Sequence, residues 1–472
     1  MNKKVTWPLS LAYAVWASGC STVPPLPHST ASHSLPLSSW SAPMHPTMPG
    51  EGSPGVLDTG PLSFPALVRL ATEQNPDIRV AQAQAEAARG KMIQAGLYPN
   101  PTIGWEASEI GNTPESAAGM QGPTFGFTLV TADKLGLAQS AAVHAVAAAD
   151  WQATTRWYAT LVKLRIAYYD TLAAQQEVRV GAELVRIAEE GFSAAEKLEK
   201  SGAGGRPDVL RARVELEQYR NRLEVSQRRA ESAWARLAAA IGVTDLPVRP
   251  LQGALQESPP EFTLSDLKAA MLARSSELQA AQAEVMEAQQ SLRLAQAEVV
   301  PNVAVQLRPL YDFGEKRAGG DVNVSMPVPL FNQNQGNIRA AHAQMTRAQE
   351  MVRQTEIRLI ERLNVAYQEY AAARRQAENF DQRILPTAQE SLRLILLGYT
   401  AGDPKYDYTA VLQAQNALTQ ARLTQVQVLN DLQRSISEIE GLIQRGLDGF
   451  APPPAAVPMP QEHQKPSAAP GR

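Results

Sequence analysis

The sequence predicts a mixed α+β membrane protein built from two copies of one helix–strand–strand–helix unit. Three observations predict it. The chain repeats itself at a nearly constant shift of 200 residues. Each copy holds two short stretches in which apolar and polar residues alternate strictly. Each copy then runs into a helical pattern of about 63 residues, far longer than the helices of ordinary globular domains.

The repeat is read from ordered matches. Ala81-Gln82-Ala83 recurs as Ala281-Gln282-Ala283, Gly136 as Gly336, Ala188 as Ala388, Glu190 as Glu390 and Gly202 as Gly402. Beyond Gly402 the shift becomes 202, and Leu210-Arg211-Ala212 matches Leu412-Gln413-Ala414. Two units, 61–262 and 263–450, account for the series.

Each unit follows one plan. A first helix (Pro76 to Leu97, and Ser276 to Val299) stops at Tyr98-Pro99-Asn100-Pro101 or Val300-Pro301-Asn302, because proline breaks the ladder and favours an extended residue before it. Alternation follows. Ile103, Trp105 and Ala107 interleave with Thr102, Gly104 and Glu106. Phe125, Phe127 and Leu129 interleave with Thr124, Gly126 and Thr128. In the second unit Val303, Val305 and Leu307 interleave with Asn302, Ala304 and Gln306, and Val322, Val324, Met326 and Val328 with Asp321, Asn323, Ser325 and Pro327. A period of two gives a strand with one apolar and one polar face. Gly111 to Ala118 and Tyr311 to Gly320 are the expected hairpin loops.

The rods run from Ala138 to Lys200 and from Asn337 to Thr400, each roughly 95 Å long at about 1.5 Å per residue. Alanine is dense along them, and Pro386 should kink the second. The rods reach breaks at Ser201 to Pro207 and Ala401 to Pro404, and a second long helix returns from each.

Four strands with an apolar face cannot rest in lipid as an open sheet, since edge N–H and C=O groups would go unpaired in hydrocarbon. Four are also too few to close a barrel, so several copies of the chain must pool their strands, apolar side chains outward and polar ones toward a lumen. Tyr98, Trp105, Phe313 and Phe331 are the expected aromatic girdle.

The termini carry other signals. Lys3 and Lys4 precede the short apolar stretch Val5 to Trp16, and Ala17-Ser18-Gly19 lead into Cys20, the single cysteine of the 472-residue chain. The stretch is too short to span a bilayer and reads as an export signal, 1–19. Gly19-Cys20 resembles the bacterial lipoprotein signal, which implies lipid attachment at Cys20, and Ser21 implies passage to the outer membrane. Residues 20–60, rich in Pro, Ser, Thr and Gly, read as a flexible tether, with His28, His33, Met44, His45 and Met48 scattered along it; 451–472 reads as a disordered tail.

Net charge is −3 with both signs interspersed, which gives no nucleic-acid footprint. The sequence contains no phosphate loop, no His-Glu-x-x-His, no cysteine pair and no nucleophile motif, so no catalytic residue, cofactor or metal site is assigned. His144 and His342 occupy similar places near the tops of the rods without ligand spacing.

This order of elements, repeated twice over roughly 62 to 447, resembles the outer-membrane factor family typified by TolC. The most specific motif, Pro327-Val328-Pro329-Leu330-Phe331-Asn332-Gln333-Asn334-Gln335-Gly336, resembles the strand-to-helix junction of its heavy-metal, cobalt-zinc-cadmium branch. Ile384-Leu385-Pro386 and Gly398-Tyr399-Thr400-Ala401-Gly402 are similar to the family's descent to the tip. The resemblance implies a homotrimer with a 12-stranded β-barrel, four strands per protomer, continued by a long periplasmic α-helical barrel. It implies a passive efflux channel and no enzyme, working with a periplasmic adaptor and an inner-membrane pump of the RND type. It also implies that the tips, Gly202, Gly204, Gly205 and Pro207 in one break and Gly402 and Pro404 in the other, dock the adaptor. Asp403 and Asp407 are candidates for an acidic ring at the pore constriction, or else caps of the following helix. Drug or protein export through the same tube, and a pore-free coiled-coil lipoprotein, remain the alternative readings.

Overall fold

A computed structural model describes residues 60–111, 119–202, 204–256, 259–401, 403 and 405–445. The export signal, Cys20, the tether, the tail, Gly402 and Pro404 lie outside the described residues.

The first unit comprises α1 (Phe64–Gln74), α2 (Pro76–Ala95), β1 (Thr102–Ser108), β2 (Met120–Leu129), α3 (Lys134–Lys200) and α4 (Arg206–Ile241). The second comprises α5 (Leu264–Arg274), α6 (Ser276–Ala297), β3 (Val303–Asp312), β4 (Arg317–Ser325), α7 (Gln335–Asn379), α8 (Leu385–Thr400) and α9 (Tyr408–Ile443). Phe64 and Leu264 open α1 and α5 at the shift of 200, and Arg206 and Tyr408 open α4 and α9 at 202. The mixed α+β class and the twofold plan expected from the sequence are the ones observed.

Local chemistry explains the boundaries. Asn75 separates α1 from α2: its side chain accepts from Asp77 N at 2.9 Å and donates to Ala240 O at 2.8 Å, while Pro76 opens the next helix. Ser275 does the same between α5 and α6, accepting from Leu278 N. The periodicity predicted neither α1 nor α5; each is only 11 residues long and keeps a handful of buried positions. At 67 residues α3 spans about 100 Å. It buries Ala141, Ala148, Ala173, Ala174, Ala188 and Ala195, small side chains that let neighbouring helices approach. The second rod is interrupted by one π-helical turn, Phe380–Ile384, just before Pro386, which sits in the first turn of α8 where its missing N–H is harmless.

Three strand expectations need correction. The loop expected over Tyr311 to Gly320 shrinks to residues 313–316. Asp312 accepts from Gly314 N and Glu315 N at 2.8 and 3.0 Å, and Gly319 and Gly320 pair with Leu310 and Pro309 inside the sheet. Cross-strand pairing overrode the local turn propensity of glycine. The alternation through Val328 stops at Ser325, because Pro327 and Pro329 have no N–H to donate. Trp105, expected near a strand end, is mid-strand, opposite Pro123.

The strands form one antiparallel sheet in the order β1-β2-β3-β4, so β1 and β4 are open edges. In the half of the rods nearest the sheet, α2 packs on α3, α3 on α6 and α6 on α7. In the far half, α4 packs on α3, α3 on α9, and α9 on α7 and α8. Between these halves Met271, Leu359, Leu363, Ile436 and Ile439 join α5, α7 and α9 in a core. At the far end Ala195, Ala212, Tyr399, Tyr408 and Val411 join α3, α4, α8 and α9.

Candidate functional site

The register sorts the sheet into two faces. Ile103 lies opposite Phe125, Phe125 opposite Leu307, and Leu307 opposite Val322; Phe127, Val305 and Val324 form the next row. These share one face, and it is bare: Ile103 is 76%, Trp105 68%, Val322 69% and Val324 63% exposed. The other face carries Thr102, Glu106, Thr124, Thr128, Gln306, Arg308, Asn323 and Asp321. An exposed apolar face this continuous has no place in water, and its complement is the polar wall of a lumen. No helix among the described residues is long and apolar enough to cross a membrane.

The polar wall holds a charge cluster that sequence alone did not join. Arg308 Nη1 donates to Glu106 Oε1 at 2.6 Å, and Arg308 Nη2 lies 3.6 Å from Asp321 Oδ2. The guanidinium reaches from β3 over β2 to β1, past Gly122, which pairs with Glu106 and has no side chain. A Cβ there would sit 2.0 Å from Pro309 O, so the close approach of the β3 backbone itself requires glycine at this position. Glu106 and Asp321 were legible as polar-face residues; the reach across two strands requires the register.

The other expected site lies at the far helix turns. Gly202 has φ +78°, and Gly204 N donates to Leu198 O at 3.0 Å, which closes the end of α3. Gly205 precedes α4, and Pro207 sits inside its first turn rather than in the break. In the second turn Asp403 Oδ1 accepts from Lys405 N at 3.0 Å, and Asp407 Oδ1 caps α9 by accepting from Ala410 N at 2.9 Å. This break extends to Asp407, three residues further than the sequence indicated. Gly398 is required beside it, since a Cβ would lie 2.2 Å from the Tyr406 ring.

Above the turns runs a tyrosine seam that sequence reasoning missed. The Tyr399 and Tyr408 rings are 5.6 Å apart, and the Tyr219 and Thr419 hydroxyls share a hydrogen bond of 2.9 Å between α4 and α9. Burial pushes all three phenols above their ordinary value. Tyr399, Glu215 and Asp208 add to the rise at Tyr408, and Asp208 adds at Tyr399, whereas at Tyr219 the Thr419 hydrogen bond opposes it. These groups stay neutral over the physiological range; Tyr219 hydrogen-bonds across the seam, and Tyr399 and Tyr408 fill it with their rings. Among the described residues no group of three His, Cys, Asp or Glu converges to hold a metal, and His144 and His342 lie on separate rods.

A two-faced sheet with open edges, rooted in rods of this length, defines the protomer of an outer-membrane channel whose strands are pooled. The sequence model of the outer membrane efflux protein family matches residues 67–243 and 268–443, one segment in each repeat. The chain belongs to that family. It is 27% identical over 413 residues to the cobalt-zinc-cadmium resistance protein CzcC of Cupriavidus metallidurans, covering 85% of this chain and 93% of that one. Among solved structures it is similar to the outer-membrane channel OprN (TM-score 0.69, 21% identity, 81% of this chain and 90% of that one). It is also similar to CusC (TM-score 0.69, 17% identity, 81% and 92%) and to the outer membrane protein VceC of Vibrio cholerae (TM-score 0.68, 18% identity, 80% and 95%).

Proposed function

We propose that this efflux channel works as a homotrimer with a 12-stranded barrel, passively conducting heavy-metal cations out of the cell. A periplasmic adaptor and an inner-membrane pump of the RND type would deliver them. Cys20 would carry the lipid that anchors the chain in the outer membrane, with the rods extending into the periplasm. The observation that carries the channel reading is the sheet: an exposed apolar face, a polar face and two unpaired edges leave pooling into a barrel as the stable arrangement in lipid. The metal substrate is supported by the likeness to a cobalt-zinc-cadmium resistance protein and by the Pro327–Gly336 junction.

In this reading Gly202, Gly204, Gly205 and Pro207, with Gly402 and Pro404, form the turns that meet the adaptor. Asp403 and Asp407 from three copies converge as an acidic constriction. The test has two arms. Purified trimer in a planar bilayer shows discrete conductance steps; a folded trimer with none favours the pore-free lipoprotein. Deleting the gene lowers tolerance to cobalt, zinc or cadmium and leaves drug tolerance unchanged. The reverse pattern moves the channel to drug export.

A further inference from the structure

We infer that Arg308 is a selectivity-setting residue of the lumen wall: it offsets one of two carboxylates and so fixes how strongly the barrel attracts cations. The inference rests on the channel reading and concerns the barrel rather than the helix tips.

Four observations carry it. Glu106, Arg308 and Asp321 are the charged residues on the polar face away from the hairpin end, where Asp312 and Arg317 face each other. The three are mutually engaged, with Arg308 within 2.6 Å of Glu106 and 3.6 Å of Asp321. Gly122, the β2 residue paired with Glu106, has no side chain to stand between that carboxylate and Arg308. Arg308 Nε is buried and without a partner among the described residues, so the two carboxylates at its Nη atoms are what hold the guanidinium over the wall. Two carboxylates against one guanidinium leave one net negative charge per chain. Three such clusters at one height make a negative belt, weaker than the six carboxylates would make alone. A belt of this kind raises the local concentration of cations and lowers that of anions. In a wide, water-filled barrel the effect is modest and is screened by salt, with a Debye length of about 8 Å near 0.15 M.

A wall with no net charge would suit any cargo, and one with both carboxylates free would hold a divalent cation at the wall and slow its exit. Conduction needs attraction strong enough to favour entry and weak enough to permit release. Arg308 places the barrel between those limits.

The test reads the potential at the wall directly, without passage through the tips. Asn323, exposed on the polar face two residues from Asp321, is replaced by cysteine as a reporter. The membrane-embedded trimer is then treated with cationic trimethylammonium-ethyl or anionic sulfonato-ethyl methanethiosulfonate, with the parent chain as the control for Cys20. The readout is the ratio of cationic to anionic reaction rates. At about 0.01 M salt, where the Debye length is about 30 Å, a unit charge roughly 10 Å away changes that ratio by about threefold. Arg308→Gln raises the ratio, Glu106→Gln lowers it, Arg308→Lys leaves it near the parent, and all differences collapse at about 1 M salt.

Equal ratios in all backgrounds at low salt overturn the assignment. So do shifts of the same sign in Arg308→Gln and Glu106→Gln accompanied by loss of trimer, since both then act only through sheet register. If Asn323→Cys reacts with neither reagent while Ile103→Cys reacts with both, the polar face is not a water-filled lumen, and the channel reading fails first.

Discussion

Glu287 on α6 shows how single residues in the rods tune stability. Burial raises its carboxyl above the ordinary 4.5, and Glu284 on the same helix raises it further. The sign follows from linkage. The folded chain binds the proton more tightly than the unfolded chain, so stability falls as pH rises from about 4.5 through the raised folded value, and the penalty persists above it. Glu287→Gln, which mimics the protonated form, therefore raises the urea midpoint of the trimer at pH 7. The gain shrinks as pH falls and vanishes below about 4.5. An equal gain at pH 4 and pH 7 would assign the effect to packing instead. Such effects are invisible in the sequence, where Glu284 and Glu287 read only as polar positions of a helix. The charge cluster on the sheet was half visible. Alternation placed Glu106 and Asp321 on the polar face, but their bond to Arg308 depends on a strand register that Gly122 makes possible.

At the scale of elements, α9 depends on Asp407. Its carboxylate satisfies Ala410 N, so Asp407→Ala costs about 1 kcal/mol while Asp407→Asn keeps the cap. This separates capping from gating. A carboxylate that narrows the pore changes single-channel conductance in both variants, whereas a cap alone leaves Asn silent and moves only the urea midpoint of Ala. Conductance that differs from the parent in Asp407→Asn supports the acidic constriction; conductance unchanged there removes Asp407 from the gate. The long elements were legible because period, proline and length agree over many residues: α3 runs 134–200 against an expected 138–200, and Pro386 marks the π-turn. The short ones were not. α1 and α5 have too few turns for the period to stand out, and they are held by tertiary contacts of Leu67, Val68 and Met271. Glycine and proline misled in opposite directions in the second hairpin, where Gly319 and Gly320 pair as strand while Pro327 ends the ladder early.

The whole molecule is legible as an incomplete object. Its sheet is open at β1 and β4, and in the far half of the rods the packing order α4–α3–α9–α8 leaves α4 and α8 as edges. Both edges carry exposed apolar residues, and their heights match. Leu210, Val214 and Val225 lie four, eight and nineteen residues into α4, while Leu397 and Leu394 lie three and six residues before the end of α8 and Ile384 closes the π-helical turn that leads into it. Each helix begins or ends at the same set of turns, so the stripes stand level, and stripes of this kind call for a partner. The partner that supplies one edge to the other is a second copy, and a head-to-tail contact of this type closes into a ring. Cysteines at 210 and 397 should therefore form disulfides between copies. Oxidised Leu210→Cys/Leu397→Cys protein runs as a covalent trimer on denaturing gels, and each single variant runs as monomer. A double variant that links only within one chain would place α8 against its own α4. The ring would then have to close through other surfaces than these two helices.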